Sequence, residues 1–340
     1  AQRATSVSDV GGSQGYFCTD RFKSTLSGTD ARYTVSQDSD APAGFSKALK
    51  YDVTTADTSV AAAEFHAISY RAEGQDISHF EWGTSDAKKC TFSFYAKATA
   101  AQTVVVNFVR ATTSGNSRSV SKAFSITTSY QRFTFTLPGD TGGDAQVETN
   151  AEGFAIHIGL SMGSNFTSGT LNETWENFTN ANRFVGVGNL ASSTDNNFFI
   201  TGVQLEVGSV ATPFEHRSFG EEQTLCQRYY YRHKSDGASQ NMLGVGVVDS
   251  STAAFMQIVP PVSMRDQPSS METTGTASNY EVREGSGNDI VCNAVPTMSG
   301  DSTNNVFNVN FTTAGSLNAR SACMGKAMAD GVHLSFTSEL

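Results

Sequence analysis

The chain has 340 residues, of which 38% are apolar and only 16% charged, with a formal net charge of -10. Its longest apolar stretches, residues 103–109 and 243–248, fall far short of the ~18 residues of a membrane-spanning helix. An acidic chain without a Lys/Arg cluster also lacks the electrostatic footprint that holds nucleic acid. Neither membrane insertion nor a nucleic-acid partner is expected.

With so little charge, the polar surface is drawn from 41 Ser and 37 Thr. Thr suits a pleated sheet, whereas Ser competes with helical hydrogen bonds and prefers turns, so the composition predicts an all-β fold. Short alternating runs follow one another from the start: residues 48–53, 64–71, 90–97, 103–110, 119–126, 131–137, 154–160, 183–187 and 198–207. Gly/Asn-rich turns separate them, at Gly115-Asn116, at residues 139–143 and at residues 193–197. This rhythm predicts a two-sheet jelly roll or related β-sandwich over residues 1–217. Ser218-Phe219-Gly220-Glu221 has the form of a capping box and predicts a short linker helix over 218–228. Strand rhythm resumes at residues 227–232, 253–259, 278–283, 289–293, 306–312 and 332–337. These predict a smaller C-terminal β-sandwich of roughly six strands over 229–340. Gly244-Val245-Gly246 reads as a strand with a bulge, since it lacks the third glycine and the helix of a dinucleotide site.

The five cysteines, Cys18, Cys90, Cys226, Cys292 and Cys323, are odd in number and widely spaced. They predict buried thiols, neither a zinc cluster nor a disulfide framework, in a chain folded in a reducing cytoplasm. The six histidines, at 66, 79, 157, 216, 233 and 333, show no ligand spacing. No nucleophile elbow, zinc-protease helix or phosphate loop is present, and the carboxylates Glu173 with Glu176, or Asp140 with Asp144, sit in ordinary loops. A non-enzymatic protein without a cofactor is expected. A shallow sugar site needs less: an aromatic face and a few hydrogen-bonding side chains. The segment Asn172-Glu173-Thr174-Trp175-Glu176-Asn177-Phe178 supplies both, which makes Trp175, Asn172, Glu173 and Phe178 candidate carbohydrate-binding residues. The bland alternative is that Trp175 folds back over the sandwich edge. Trp82 reads as core. Phe219 and the strand face of Tyr229, Tyr230 and Tyr231 are candidate oligomer or interdomain contacts.

Several strings occur in order: Thr19-Asp20-Arg21-Phe22, Glu73-Gly74-Gln75-Asp76-Ile77, Trp82-Gly83-Thr84, residues 89–97, Pro138-Gly139-Asp140-Thr141, residues 199–208, residues 211–215 and Leu225-Cys226-Gln227-Arg228-Tyr229-Tyr230. Together they resemble the distal region of bacteriophage tail-fibre and related virion appendage proteins, whose first domain is similar to a carbohydrate-binding-module jelly roll. Val262-Ser263-Met264-Arg265 with Pro268, and residues 334–340, resemble later steps of the same proteins. The resemblance implies a virion structural protein, commonly a homotrimer, assembled in the bacterial cytoplasm and carried on the virion surface. Its implied partners are a host-surface glycan or receptor and other virion proteins. A purely structural fibre, decoration or adaptor role is the alternative, and a glycan depolymerase a third. Related modules often hold a structural calcium, but no Asp-rich loop here marks one. Ala4 stands where the family usually has Gly, and the chain opens on Ala1, so a segment of a longer or processed polypeptide is expected.

Overall fold

Alternation of buried and exposed side chains sets the architecture. The computed structural model describes residues 2–237 and 241–340, and the chain divides into two compact units, Arg3–His216 and Arg217–Glu339.

The first unit contains β1 Ser6–Val10, β2 Phe22–Ser27, β3 Arg32–Asp38, β4 Ala48–Thr55, β5 Phe65–Glu73, β6 Cys90–Ala98, β7 Gln102–Arg110, β8 Arg118–Ile126, β9 Gln131–Leu137, β10 Glu152–Met162, β11 Glu176–Asn177 and β12 Asn197–Val207. They form two six-stranded sheets of order β1-β3-β4-β12-β6-β9 and β11-β8-β7-β10-β5-β2, in which the chain repeatedly crosses from one sheet to the other. This is the all-β jelly-roll sandwich that the composition predicts. Because strand side chains point alternately to opposite faces, Tyr33, Tyr51, Phe92, Phe94 and Phe198 of the first sheet share one core with Ile68, Val106, Phe108, Phe154 and Ile156 of the second. Trp82 lies in that core at 1% exposure, as its sequence context predicts.

Both outer faces of this sandwich carry a cover from the same chain. Over the second sheet, the connection between β10 and β12 inserts Phe184 into a satellite apolar cluster with Phe65, Ala67, Val105 and Met162. Over the first sheet, the segment after β12 turns back: Thr91 Oγ1 donates to the Gly208 carbonyl at 2.8 Å, and Phe214 packs on Phe45 at 5.1 Å between centroids. Ser93, an outward residue of β6, is consequently fully buried.

One predicted strand is corrected. Residues 183–187 pair with no strand; they form part of the cover over the second sheet, where Phe184 is fully buried and Gly186 has φ +87°. The apolar alternation there records packing onto a sheet, not pairing within one. Four strands that the sequence reading passed over, β1, β2, β3 and β11, are short, Ser/Thr-rich or half exposed.

The second unit opens with α1 Phe219–Gln227. Its capping box is formed, with Ser218 Oγ accepting from the Glu221 amide at 3.3 Å and the Glu221 carboxylate accepting from the Ser218 amide at 3.0 Å. Then come β13 Tyr230–Lys234, β14 Asn241–Ser250, β15 Ala253–Ile258, β16 Ser270–Thr273, β17 Tyr280–Glu284, β18 Asp289–Val291, β19 Thr297–Met298, β20 Phe307–Thr312, β21 Ala322–Ala327 and β22 His333–Thr337. A three-stranded sheet, β13-β22-β16, and a seven-stranded sheet, β18-β17-β21-β14-β15-β20-β19, close on a core that includes Met256, Tyr280, Phe307, Phe311, Leu334 and Phe336. Among the described residues, the ten strands exceed the roughly six expected: β14 was read only through its Gly244 bulge, and β16, β19 and β21 are short or interrupted by Gly325. The bulge expected at Gly244 is present as a register shift between Met242 and Gly244 against β21. All five cysteines are buried thiols, none of them in a disulfide.

Candidate functional site

At one end of the first unit, three irregular segments converge. The β7–β8 turn contributes Gly115, Asn116 and Ser117; the loop after β9 contributes Gly143 and Asp144; the edge strand β11 delivers Asn177 and Phe178. Together they line an open cleft of about 520 Å³. The edge strand is brought there by its pairing with Arg118 and Ser119 of β8, extended by the Phe178 amide donating to the Ser117 carbonyl at 3.0 Å.

A buried ion-pair cluster beneath the cleft braces it. Arg110 and Asp140 are 0% and 1% exposed, and Arg110 Nε donates to Asp140 Oδ2 at 2.8 Å. The other Arg110 nitrogens donate to the Asp144 and Gly142 carbonyls, both at 2.8 Å. Arg118 Nε reaches both Asp140 oxygens at 2.9 Å, while its Nη1 and Nη2 donate to Asn177 Oδ1 at 3.3 Å and the Trp175 carbonyl at 3.0 Å. One carboxylate therefore ties together two strands, a loop and the edge strand. Burying three charges is tolerable because their donors and acceptors are spent on one another and on backbone carbonyls. Gly143 is required here: φ is +74°, and a Cβ would lie 2.5 Å from Arg118 Cδ.

The candidate sugar-binding segment divides within seven residues. Phe178 lines the cleft and is 37% exposed, with the Arg183 guanidinium 4.6 Å from its ring centroid. Burial of Arg183 lowers its pKa to about 10. Glu173 is exposed and pairs with Lys122 at 3.2 Å. Asn172 is corrected: it is 4% exposed, donating to Ser119 Oγ at 2.9 Å and accepting from Ser121 Oγ at 2.7 Å. Its side chain fastens the cover to β8 and offers nothing to a ligand. Trp175 is corrected likewise, to the bland alternative. Its indole packs against Trp82 at 5.2 Å and donates to the Pro138 carbonyl at 2.7 Å.

Asn116, Ser117, Asp144 and Asn177 complete the cleft, and sequence reasoning had not grouped them. Their signal was present as two Gly-rich turns, but only the Arg110 and Arg118 contacts to Asp140 and the bridge between Thr112 and Gln146 bring those turns to the same end. Asp140, weighed with Asp144 as a carboxylate pair, is consumed by its two arginines. Among the described residues, no cluster of His, Cys, Asp or Glu could hold a metal ion.

Of the candidate contact residues, Phe219 is exposed at 76%. Tyr231 stacks on Phe336 at 6.4 Å, against the second core. Tyr229 and Tyr230 are corrected as subunit contacts: they are 6% and 0% exposed within this single chain, so neither ring is available to another copy.

No family model matches the sequence, and no curated protein matches it either. Similar solved structures include the family 11 carbohydrate-binding module of the cellulosomal cellulase Lic26A-Cel5E of Clostridium thermocellum, at 11% identity over 60% of this chain and 95% of that one, with a TM-score of 0.32. Another is the N-terminal cellulose-binding domain of Cellulomonas fimi β-1,4-glucanase C, at 13% identity over 55% and 90%, with a TM-score of 0.30. A third is the enzymatically active domain of tailspike protein 4 of bacteriophage CBA120, at 9% identity over 55% of this chain, with a TM-score of 0.31; the match spans 19% of that tailspike chain.

Proposed function

We propose that this chain is a non-enzymatic protein of a bacteriophage tail fibre or related virion appendage, which binds a host-surface glycan in the cleft at Phe178. The observation that carries the reading is the cleft itself. It sets a half-exposed aromatic ring beside Asn116, Ser117, Asp144 and Asn177, the chemistry that grips a sugar's C–H face and hydroxyls, on a scaffold braced by buried ion pairs. The buried thiols, none of them in a disulfide, support assembly in a reducing bacterial cytoplasm, and association as a homotrimer belongs to the same reading.

Binding of host polysaccharide, measured by glycan array and calorimetry, tests it. Phe178→Ala weakens binding about tenfold, equivalent to ~1.4 kcal/mol, with little change in melting temperature. Unchanged affinity in that variant excludes the cleft. Incubation with the polysaccharide releases no new reducing ends; their appearance would establish the depolymerase instead. A structural virion role is favoured by one observation, the exposed apolar face of the second unit, and retained assembly without any cell adsorption would select it.

A further inference from the structure

The seven-stranded sheet of the second unit inverts the usual order on its outer face. Apolar Met242 and Met324 stand there 55% and 37% exposed. Lys326, opposite Met242, and Glu281, opposite Lys326 on β17, are instead 2% and 4% exposed. In a sheet with a single core the outer positions ordinarily hold polar side chains in water, and Lys and Glu are almost never fully buried unless paired. Among the described residues the Lys326 ammonium has two partners: Nζ donates to Glu281 Oε1 at 2.8 Å and to Asp289 Oδ1 at 3.2 Å. Asp289 lies on β18, two strands away in the order β18-β17-β21, so the lysine stem reaches across β17 to the edge strand. Arg283, directly opposite Asp289, places Nη1 3.5 Å from its other oxygen, Oδ2. One amine therefore meets two carboxylates, with a guanidinium behind the farther one.

We propose that Lys326 and Asp289 condense into an isopeptide bond, which makes this cluster a self-modification site that fastens edge strand β18 to β21. The proposal concerns the second unit alone and stands apart from glycan binding. Glu281 takes a proton from the Lys326 ammonium, and the freed Nζ lone pair attacks Asp289 Cγ. Arg283 meets the negative charge that builds on Oδ2, as donors aimed at developing charge stabilise a tetrahedral intermediate. Glu281 hands its proton to Oδ1, takes a second from Nζ and delivers it likewise, so that the Cγ–Oδ1 bond breaks and Oδ1 leaves as water. An ammonium and a carboxylate thus become one amide and one water, and Glu281 ends as the carboxylate it began. The water has a way out, since the Asp289 side chain is 32% exposed.

Two features favour the condensation. Reactants held in place gain effective concentrations on the order of 10⁵ M or more. Buried charges also carry a desolvation cost that a neutral amide avoids. The ammonium has three N–H groups for two acceptors, whereas the amide keeps a single N–H, already aimed at Glu281.

Intact-mass spectrometry of the denatured full chain tests the proposal. The wild type weighs about 18 Da, one water, less than its sequence mass of 36.2 kDa, and protease digestion yields a branched peptide joining Lys326 to Asp289. The full sequence mass overturns the proposal, and so does a loss of water that fragmentation places elsewhere. Asp289→Ala and Glu281→Gln both keep their full mass; a Glu281→Gln chain that still carries the bond overturns the proton transfer assigned to Glu281. The wild-type mass is read on denatured protein and needs no variant to fold.

Discussion

At the scale of single residues, Trp175 and Phe178 show how far a side chain's role departs from its type. Both are aromatic residues in one polar loop, three positions apart, yet Trp175 packs inward on Trp82 and Phe178 faces the cleft. Trp175→Ala therefore costs about 3 kcal/mol by opening a cavity at the sandwich edge, visible in denaturant unfolding. Trp175→Phe restores most of the packing but leaves the Pro138 carbonyl without its donor, a loss of about 1 kcal/mol. If Trp175→Ala proves as stable as the wild type, the packing assignment is wrong. The sequence identified this segment as aromatic and amide-rich but could not separate Asn172, whose amide closes an internal network with Ser119 and Ser121, from Asn177, whose neighbour Phe178 is exposed. That distinction depends on which residues pair with β8, and strand pairing is not local information.

Among the elements, strands with clean alternation were legible almost to their ends. The run 131–137 coincides with β9, and 90–97 falls one residue short of β6 Cys90–Ala98. Segments 183–187 and β3 failed in opposite directions: the first alternates because it packs on a sheet, while the second is a strand whose alternation is brief, with only Tyr33 and Val35 buried before its polar end. Loops at the cleft end depend on Asp140 more than on any strand. Asp140→Ala leaves Arg110 and Arg118 as buried cations without a carboxylate, and the expected loss is about 3–5 kcal/mol. Cleft binding is lost with it, because the Gly142, Asp144 and Asn177 contacts share the same two guanidinium groups. A stability loss below about 1 kcal/mol in chemical denaturation would show that the cluster does not brace the loops.

Viewed as a whole, the molecule carries two buried histidines that make its stability sensitive to acid. Burial lowers the pKa of His66 and His157 to about 3. His66 has both ring nitrogens unpaired between Tyr33 and Tyr51, while His157 bonds Ser69 at 2.8 Å. The unfolded chain takes up these protons near pH 6.5 and the folded chain only near 3, so their contribution is complete above pH 6.5 and falls as pH drops through that window. Each histidine contributes a slope of about 1.4 kcal/mol per pH unit. His66→Phe removes one such slope; unfolding curves at pH 7, 6, 5 and 4 that run parallel to the wild type would refute this.

All-β character was legible at this scale from hydroxyl-rich, charge-poor composition alone. The strand count of the second unit was not, since Gly325 and the two-residue β19 leave no periodic trace.

The cover over the second sheet has a consequence for how such a protein diversifies. The broad face is permanently occupied by its own chain, so in the proposed function recognition falls to the rim, where Asn116 and Ser117 on the β7–β8 turn and Asn177 and Phe178 at the end of β11 lie outside both hydrophobic layers. Asn116, Ser117 and Phe178 can change without disturbing a core residue, while Asp140, Gly143, the two arginines and Asn177, which accepts from Arg118, stay fixed beneath them. On that reading specificity and foldability are assigned to different residues, and a library restricted to those three would sample new ligands on a constant frame.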